Sequence, residues 1–222
     1  MRRGYFVTGT DTGVGKTRVA VALIHALRAR GLRVAAMKPV AAGHAPGELN
    51  EDVVALLQAS NVGAELTDVN PYSFPEPIAP HIAAAIHGVR IDPERIAAAY
   101  ARLARLADTV VVEGAGGLLV PLNESADVLD IPRMLALPTV LVVGLRLGCI
   151  NHARLSFEAI RLRGLLWAGW VGNHIAPEMA AQEDNLAALK TWLPDPCLGV
   201  QPYLPESGAY SIATSWLDLP YA

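Results

Sequence analysis

The sequence predicts a doubly wound α/β fold, a mostly parallel sheet with helices on both faces, in a single domain over residues 1–222. Three observations predict it. Apolar, β-branched runs recur along the chain, helix-period segments separate several of them, and a glycine-rich turn joins the first run to the first helix. With 222 residues and 52% hydrophobic content, the chain can bury a sizeable core.

Taken in order, residues 5–8 (YFVT) read as the first buried strand and residues 16–30, closed by Gly31, as the first helix. Residues 33–40 (RVAAMKPV) give a second strand. The Pro- and Gly-rich segments 39–47 and 71–80 are expected to be loops over the ligand edge, with Asp52 at the start of a helix between them. Asp92 as N-cap and Pro93 at the first helical position open a helix over 92–107, whose apolar stripe is Ile96, Tyr100, Leu103 and Leu106. Further strands are expected at 109–113 (TVVVE), 139–144 (TVLVVG), 168–172 (AGWVG) and 197–201 (CLGVQ), and helices at 151–163 and 177–192. Strands alternating with helices imply parallel pairing through right-handed crossovers. Ligands of such sheets sit at the carboxyl ends of the strands.

Composition excludes several function classes. The formal charge is -3, and the 15 arginines are spread among acidic residues, so nucleic-acid binding is not expected. The apolar stretch after Arg2 and Arg3 is far too short for a signal sequence, and the longest apolar segment, 139–150, is broken by Arg146 and by glycines. A soluble, cytoplasmic protein without membrane contact is expected. Cys149 and Cys197 form no Cys-x-x-Cys pair and read as small core residues.

The turn "GTDTGVGKT", residues 9–17, reads as a phosphate loop, which makes the fold P-loop NTPase-like. Backbone N–H groups of Gly13, Val14 and Gly15, with the helix start through Arg18, would face an anion. Lys16 would reach the β and γ phosphates and the Thr17 hydroxyl would bind Mg²⁺. Thr10 holds the place of the first glycine of the common pattern, Gly9 lying one residue early. Magnesium at such a loop takes carboxylates as well. Glu113 ends the strand TVVV just before Gly114, Ala115, Gly116 and Gly117, where backbone is free to approach phosphate, and Asp52 is the second candidate, although helix capping alone also explains an acidic residue there. Lys38 ends an apolar run directly before Pro39, in a chain with three lysines, Lys16, Lys38 and Lys190.

The segments "YFVTGTDTGVGKT", "KPVAAG", "NPYSF…PHI", "VVEGAGG", "LVVGLRLGCINHA" and "GWVGN", in this order, resemble the dethiobiotin synthetase family, ATP-dependent carboxylases that close the ureido ring in biotin synthesis. The resemblance runs to about residue 205. It implies ATP as co-substrate, Mg²⁺, CO₂ and 7,8-diaminononanoate (diaminopelargonate), and a homodimer whose sites borrow groups from the other subunit. Carried onto matching positions, it implies that Thr12 and Lys16 lie over the reacting phosphate and that Thr17, Asp52 and Glu113 hold Mg²⁺. Lys38 would contact the carbamate and γ-phosphate, with Ala42 and Gly117 on the substrate side and Asn151 meeting the diamine across the dimer. Asn173 would read the adenine, His174 would border it, and Pro202, Tyr203 and Leu204 would line its pocket. Three positions depart from the family pattern: Gly13 for a glutamate, Ala42 for a serine and Ala209 for an acidic residue.

Two other classes share these signals. A P-loop ATPase switch of the partitioning or septum-placement type would carry a lysine just inside the phosphate loop, where this chain has Asp11-Thr12. Membrane-targeted switches also end in a basic amphipathic helix, and "SIATSWLDLPYA" has no basic residue. An amide-forming ligase of related type would need an added glutamine-hydrolysing domain, for which the chain has no room. His81, His152 and His174 suggest a general base, but no Gly-x-Ser-x-Gly or His-Glu-x-x-His motif accompanies them, and a free amine needs no protein base.

Overall fold

The computed structural model describes residues 4–204 and 214–219. Along them run β1 (Gly4–Gly9), α1 (Lys16–Ala29), β2 (Val34–Met37), β3 (Val40–Ala42), α2 (Glu51–Ala59), α3 (Leu66–Val69), β4 (Tyr72–Phe74) and α4 (Pro80–Ile86). The second half comprises α5 (Pro93–Leu106), β5 (Thr109–Glu113), α6 (Asp130–Leu135), β6 (Thr139–Leu145), α7 (Cys149–Leu162), β7 (Trp167–His174), α8 (Gln182–Trp192) and β8 (Cys197–Gln201).

Among the described residues, six strands form one parallel sheet in the order β2-β5-β1-β6-β7-β8. Burial on both faces explains why these strands are apolar runs instead of alternating ones. Tyr5 and Val7 pack into the layer made by α1 and α2, whereas Phe6, on the opposite face, packs with Ile96, Ala99 and Leu103 of α5. Beyond β1, that second face is covered by α7 and α8, where Leu141, Val143 and Trp170 meet Ala153, Ile160 and Leu189. The chain leaves β1 toward β2 on one side and later adds β6 on the other, so the sheet changes direction at β1. The phosphate loop therefore lies at the topological switch point, where open α/β sheets bind ligands.

One strand is shorter than expected. The 33–40 run is divided: β2 stops at Met37, and β3 starts at Val40 in a separate two-stranded sheet with β4. Pro39 has no N–H with which to continue the ladder. The chain turns out of the main sheet there, with the Lys38 N–H donated to the Val69 carbonyl (2.8 Å) and the Tyr72 N–H to the Pro39 carbonyl (3.2 Å). The buried Asn70 side chain closes this junction by donating to the carbonyls of Lys38 (2.6 Å) and Tyr72 (3.0 Å).

The segments 39–47 and 71–80 are accordingly not plain loops, since they contain β3 and β4 and end in the first residue of α4. Three-residue strands are too short to show a period. Smaller corrections follow the same logic of local bonding. Helix α7 begins at Cys149, after Gly148 in a left-handed conformation, two residues before the expected start, and α8 begins at Gln182 rather than 177. Strand β7 continues through Asn173 and His174, because β6 and β8 on its two sides keep pairing with it. Cys149 and Cys197 are both free thiols; Cys149 is buried, as expected of a core residue, whereas Cys197 is only half-buried.

Replacing Asn70 by Ala leaves two buried carbonyls without their donor. Unfolding in urea should report a loss of about 1–3 kcal/mol, the penalty for such orphaned groups; unchanged stability would show that the junction does not depend on this side chain.

Candidate active site

Three adjacent strands deliver the candidate site. Val7 of β1 stands opposite Glu113 at the end of β5, and Met37 of β2 stands opposite Val112. Lys38, one residue beyond Met37, therefore emerges beside Glu113, and the phosphate loop emerges on the other side of it. From the helical layer, α2 supplies Asp52. Asn50 is the cap of that helix: its Oδ1 accepts the Asp52 N–H (3.0 Å) while its Nδ2 donates to the Gly43 carbonyl (2.8 Å). Capping thus does not occupy the Asp52 carboxylate.

These groups converge. The Lys38 ammonium, 4% exposed, lies 2.5 Å from Glu113 Oε1 and 2.9 Å from Asp52 Oδ2. Thr17 Oγ1 is 2.6 Å from Asp52 Oδ1 and 2.9 Å from Glu113 Oε1. A hydroxyl has one proton, so it donates to only one of these two carboxylates at a time. Glu113 Oε2 is buried with no hydrogen-bond partner. The set is two carboxylates and a hydroxyl with unused acceptor capacity, a hard-oxygen donor set of the kind that Mg²⁺ takes together with waters and phosphate oxygens. It fits that ion. Among the described residues, no cluster of three His, Cys, Asp or Glu side chains offers an alternative metal site.

Burial works against charge here, and pairing restores it. Burial pulls the Lys38 ammonium toward its neutral form, yet Glu113 and Asp52 more than offset that and raise its pKa above the ordinary lysine value. Burial also pushes Asp52 up, but Lys38 and Thr17 hold its pKa below the ordinary aspartate value. For Glu113 burial prevails, with the Asp52 charge adding to it against the attraction of Lys38, and its pKa is raised. Lys16 is pulled down to about 8, first by burial and then by the neighbouring Lys38 charge. Its Nζ donates to the Asp11 carbonyl (2.9 Å), across the phosphate loop.

A cavity of about 610 Å³ opens over this cluster. Of the sequence-predicted residues, Thr12, Gly13, Gly15, Lys16, Thr17, Arg18, Lys38, Ala42, Asp52, Glu113, Ala115 and Gly116 line it. Others stand apart. Val14, Gly114 and Gly117 belong to the same loops without lining the cavity, and Val14 is buried. Asn173 is buried under the loop, where its Nδ2 donates to the Val14 carbonyl (2.8 Å), a bond that fixes which way the amide faces. His174 ends β7, Pro202 and Tyr203 are exposed, and the Leu204 carbonyl accepts from Arg18 Nη1 (2.7 Å). Asn151 lies in the first turn of α7, lining a second cavity of about 610 Å³ together with Leu147, Ile150, Arg154 and Leu155. Ala209 lies outside the described residues.

Comparison with known proteins identifies the family of the chain. The AAA domain family matches residues 3–211. The chain is 53% identical over 219 residues to the ATP-dependent dethiobiotin synthetase of Nitrosospira multiformis, covering 99% of this chain and 96% of that one. It is 50% identical to the enzyme of the same name from Aromatoleum aromaticum, with 98% of both chains covered. The chain belongs to the dethiobiotin synthetase family. The fold is shared more widely: the septum site-determining protein MinD of Pyrococcus horikoshii, solved with Mg-ADP, has a TM-score of 0.56 at 17% identity, covering 91% of this chain and 82% of its own. A ParA family ATPase from Chlorobium tepidum has a TM-score of 0.55 at 14% identity, covering 91% and 85%. At such identities the likeness concerns the fold alone.

Three contributors to this synthetase-family site are missing from the sequence reading. Asn50 frees Asp52 from capping, and Asn70 holds the Lys38 carbonyl, yet an isolated asparagine in a loop gives no periodic or motif signal. The third is Arg146, whose guanidinium pairs with Asp11 of the phosphate loop, while the other Asp11 oxygen accepts the Thr12 N–H (2.8 Å). Their separation of 135 residues hides that pair in the sequence.

Gly15 carries the tightest constraint in the loop. Its φ of +89° is a left-handed conformation, and an added Cβ would stand 2.0 Å from Asn173 Nδ2. Gly15→Ala should therefore distort the loop and weaken binding of a fluorescent ADP analogue by about tenfold or more, since backbone strain of this kind is of order 1–3 kcal/mol. Wild-type affinity in the variant would show that this backbone geometry is not needed for nucleotide binding.

Proposed function

We propose that the protein is an ATP-dependent cyclo-ligase that converts 7,8-diaminononanoate and CO₂ into dethiobiotin, giving ADP and phosphate. One amine adds to CO₂ to form a carbamate. A carbamate oxygen then attacks the γ-phosphorus of ATP, and the second amine closes on the carbonyl carbon of the mixed anhydride, expelling phosphate. The observation that carries this reading is the convergence of Lys16 and Lys38 on one cavity with Thr17, Asp52 and Glu113, in a chain of this family. Every intermediate is anionic, so the residues act by positioning and charge stabilisation.

In this mechanism Lys16 and Thr12 hold the γ-phosphate in line with the carbamate. Lys38 stabilises the charge that develops between carbamate and phosphate. Thr17, Asp52 and Glu113 hold Mg²⁺, which when bound neutralises charge on the phosphate oxygens. A compact ammonium suits a point surrounded by several anions, whereas a guanidinium is shaped for a planar, bidentate partner. Asn173 and His174, with Pro202, Tyr203 and Leu204, border the adenine. Ala42 faces the substrate and offers no hydroxyl where the family pattern has one, whereas Gly117 does not line the cavity.

The substrate site is completed by a second copy of the chain. Asn151 lines a cavity other than the phosphate cavity of its own chain, on a surface where Leu147 is 95% and Leu155 63% exposed. Burial of that apolar helix start in a homodimer would place Asn151 at the neighbouring site. No described helix is long and apolar enough to cross a membrane, in keeping with a reaction among small cytoplasmic solutes. The ATPase-switch reading has only the fold in its favour.

Incubation with MgATP, bicarbonate and the diamine should yield the cyclic urea, detected by mass. Lys38→Gln should lower kcat by about 10²- to 10³-fold while leaving nucleotide binding nearly intact, the pattern for loss of a transition-state contact. Diamine-independent ATP turnover without the cyclic product would overturn the assignment. For the shared site, inactive Lys38→Gln chains mixed with inactive Asn151→Ala chains should regain activity, because one site of the heterodimer holds both native groups. If mass measurement confirms subunit exchange and activity stays at zero, Asn151 does not act across the interface.

A further inference from the structure

The position of the Lys38 ammonium carries a consequence for how the metal enters. Its Nζ contacts both Glu113 Oε1 (2.5 Å) and Asp52 Oδ2 (2.9 Å) and lies 3.4 Å from the Gly114 carbonyl. Thr17 Oγ1 reaches the same Glu113 Oε1 (2.9 Å). The oxygens suited to a divalent ion are thus drawn around a point that an ammonium already neutralises. A divalent ion placed on Thr17, Asp52 and Glu113 would meet that ammonium at contact distance, with the Lys16 charge close by.

We propose that Lys38 is a displaceable counter-ion: its ammonium and a divalent cation compete for the same Glu113–Asp52 pair, and the ammonium swings into the reaction cavity as the cation binds. The structure provides the parts for this exchange. The Lys38 backbone is fixed, its N–H on the Val69 carbonyl (2.8 Å) and its carbonyl on Asn70 (2.6 Å), so only the flexible side chain has to move. Lys38 also lines the cavity, so that movement opens onto the space assigned to phosphate and carbamate. Metal loading and delivery of the catalytic cation would then be one event, and the buried Glu113 carboxylate would never stand unpaired. The proposal rests on the assignment of this pair as the Mg²⁺ site.

The test measures Mn²⁺ binding by electron paramagnetic resonance, without nucleotide, so that activity plays no part. Lys38→Met, which cannot donate a hydrogen bond, should bind Mn²⁺ at least about tenfold more tightly than wild type, because the competitor is gone. Equal or weaker binding in Lys38→Met would overturn the competition while leaving the metal assignment standing. Uptake that persists unchanged in Glu113→Gln would overturn the metal assignment and the proposal with it, and no uptake by any of the three proteins would overturn the competition. Lys38→Met can fail to fold, because it leaves the buried Glu113 carboxylate unpaired. The wild-type chain supplies the second measurement, since its three lysines give a simple side-chain ¹⁵N spectrum. Titration with Mg²⁺ should shift the Lys38 ammonium resonance and leave the exposed Lys190 unmoved; an unchanged Lys38 resonance at saturating Mg²⁺ would contradict the exchange.

Discussion

The contact between the Lys38 ammonium and the Glu113 and Asp52 carboxylates is the constraint around which the rest of the site is arranged. Breaking a buried ion pair costs about 3–5 kcal/mol, because the abandoned charge has no water to turn to. The fold therefore has to hold all three groups in register at once. Adjacency of β2, β5 and β1 brings Lys38, Glu113 and the phosphate loop to one edge, and α2 closes the cluster from the side with Asp52. Pro39 and Asn70 then hold the chain in the turn that presents Lys38.

Pairing of this kind makes an anion site that is itself nearly balanced. Two ammonium groups face two carboxylates under a loop of backbone N–H groups, so a polyanionic nucleotide with its metal can enter without leaving a large net charge buried. The depression of Lys16 to about 8, by burial and by Lys38, shows how closely the two ammonium groups share one field. Lysine is rare in this chain, which uses arginine for most of its positive charge. One of the three lysines, Lys38, stands where two carboxylates meet at a point, and that geometry suits an ammonium better than a planar guanidinium.

The fold was legible because its signals are local. Buried parallel strands are unbroken apolar runs, and Asp92-Pro93 marks a helix start within two residues. Gly15-Lys16-Thr17 was also readable, as a motif opening the first helix after the first strand, and Glu113 was readable because it ends an apolar run. Asp52 and Lys38 were recognisable as candidates, but their mutual contact was not, because it depends on strand order and on the break at Pro39. The three-residue strands β3 and β4 and the Arg146–Asp11 pair arise from tertiary bonding with no periodic trace. Asn173 shows a different limit: its place near the loop was expected, whereas its bond to the Val14 carbonyl is a matter of side-chain direction that spacing does not encode.

A sheet of this kind also serves ATPases that share 17% identity or less with the chain, so architecture alone does not separate phosphoryl transfer to water from transfer to a carbamate. The difference lies in which oxygen attacks the γ-phosphorus. If the carbamate oxygen attacks and phosphate is later expelled by the second amine, one oxygen of CO₂ leaves on phosphate. The direct measurement is the mass of phosphate released from MgATP in ¹⁸O-labelled bicarbonate, with and without the diamine, over times short against exchange of label with water. Phosphate carrying one ¹⁸O only when the diamine is present is the predicted result, and phosphate released with the diamine but carrying no ¹⁸O would contradict the account.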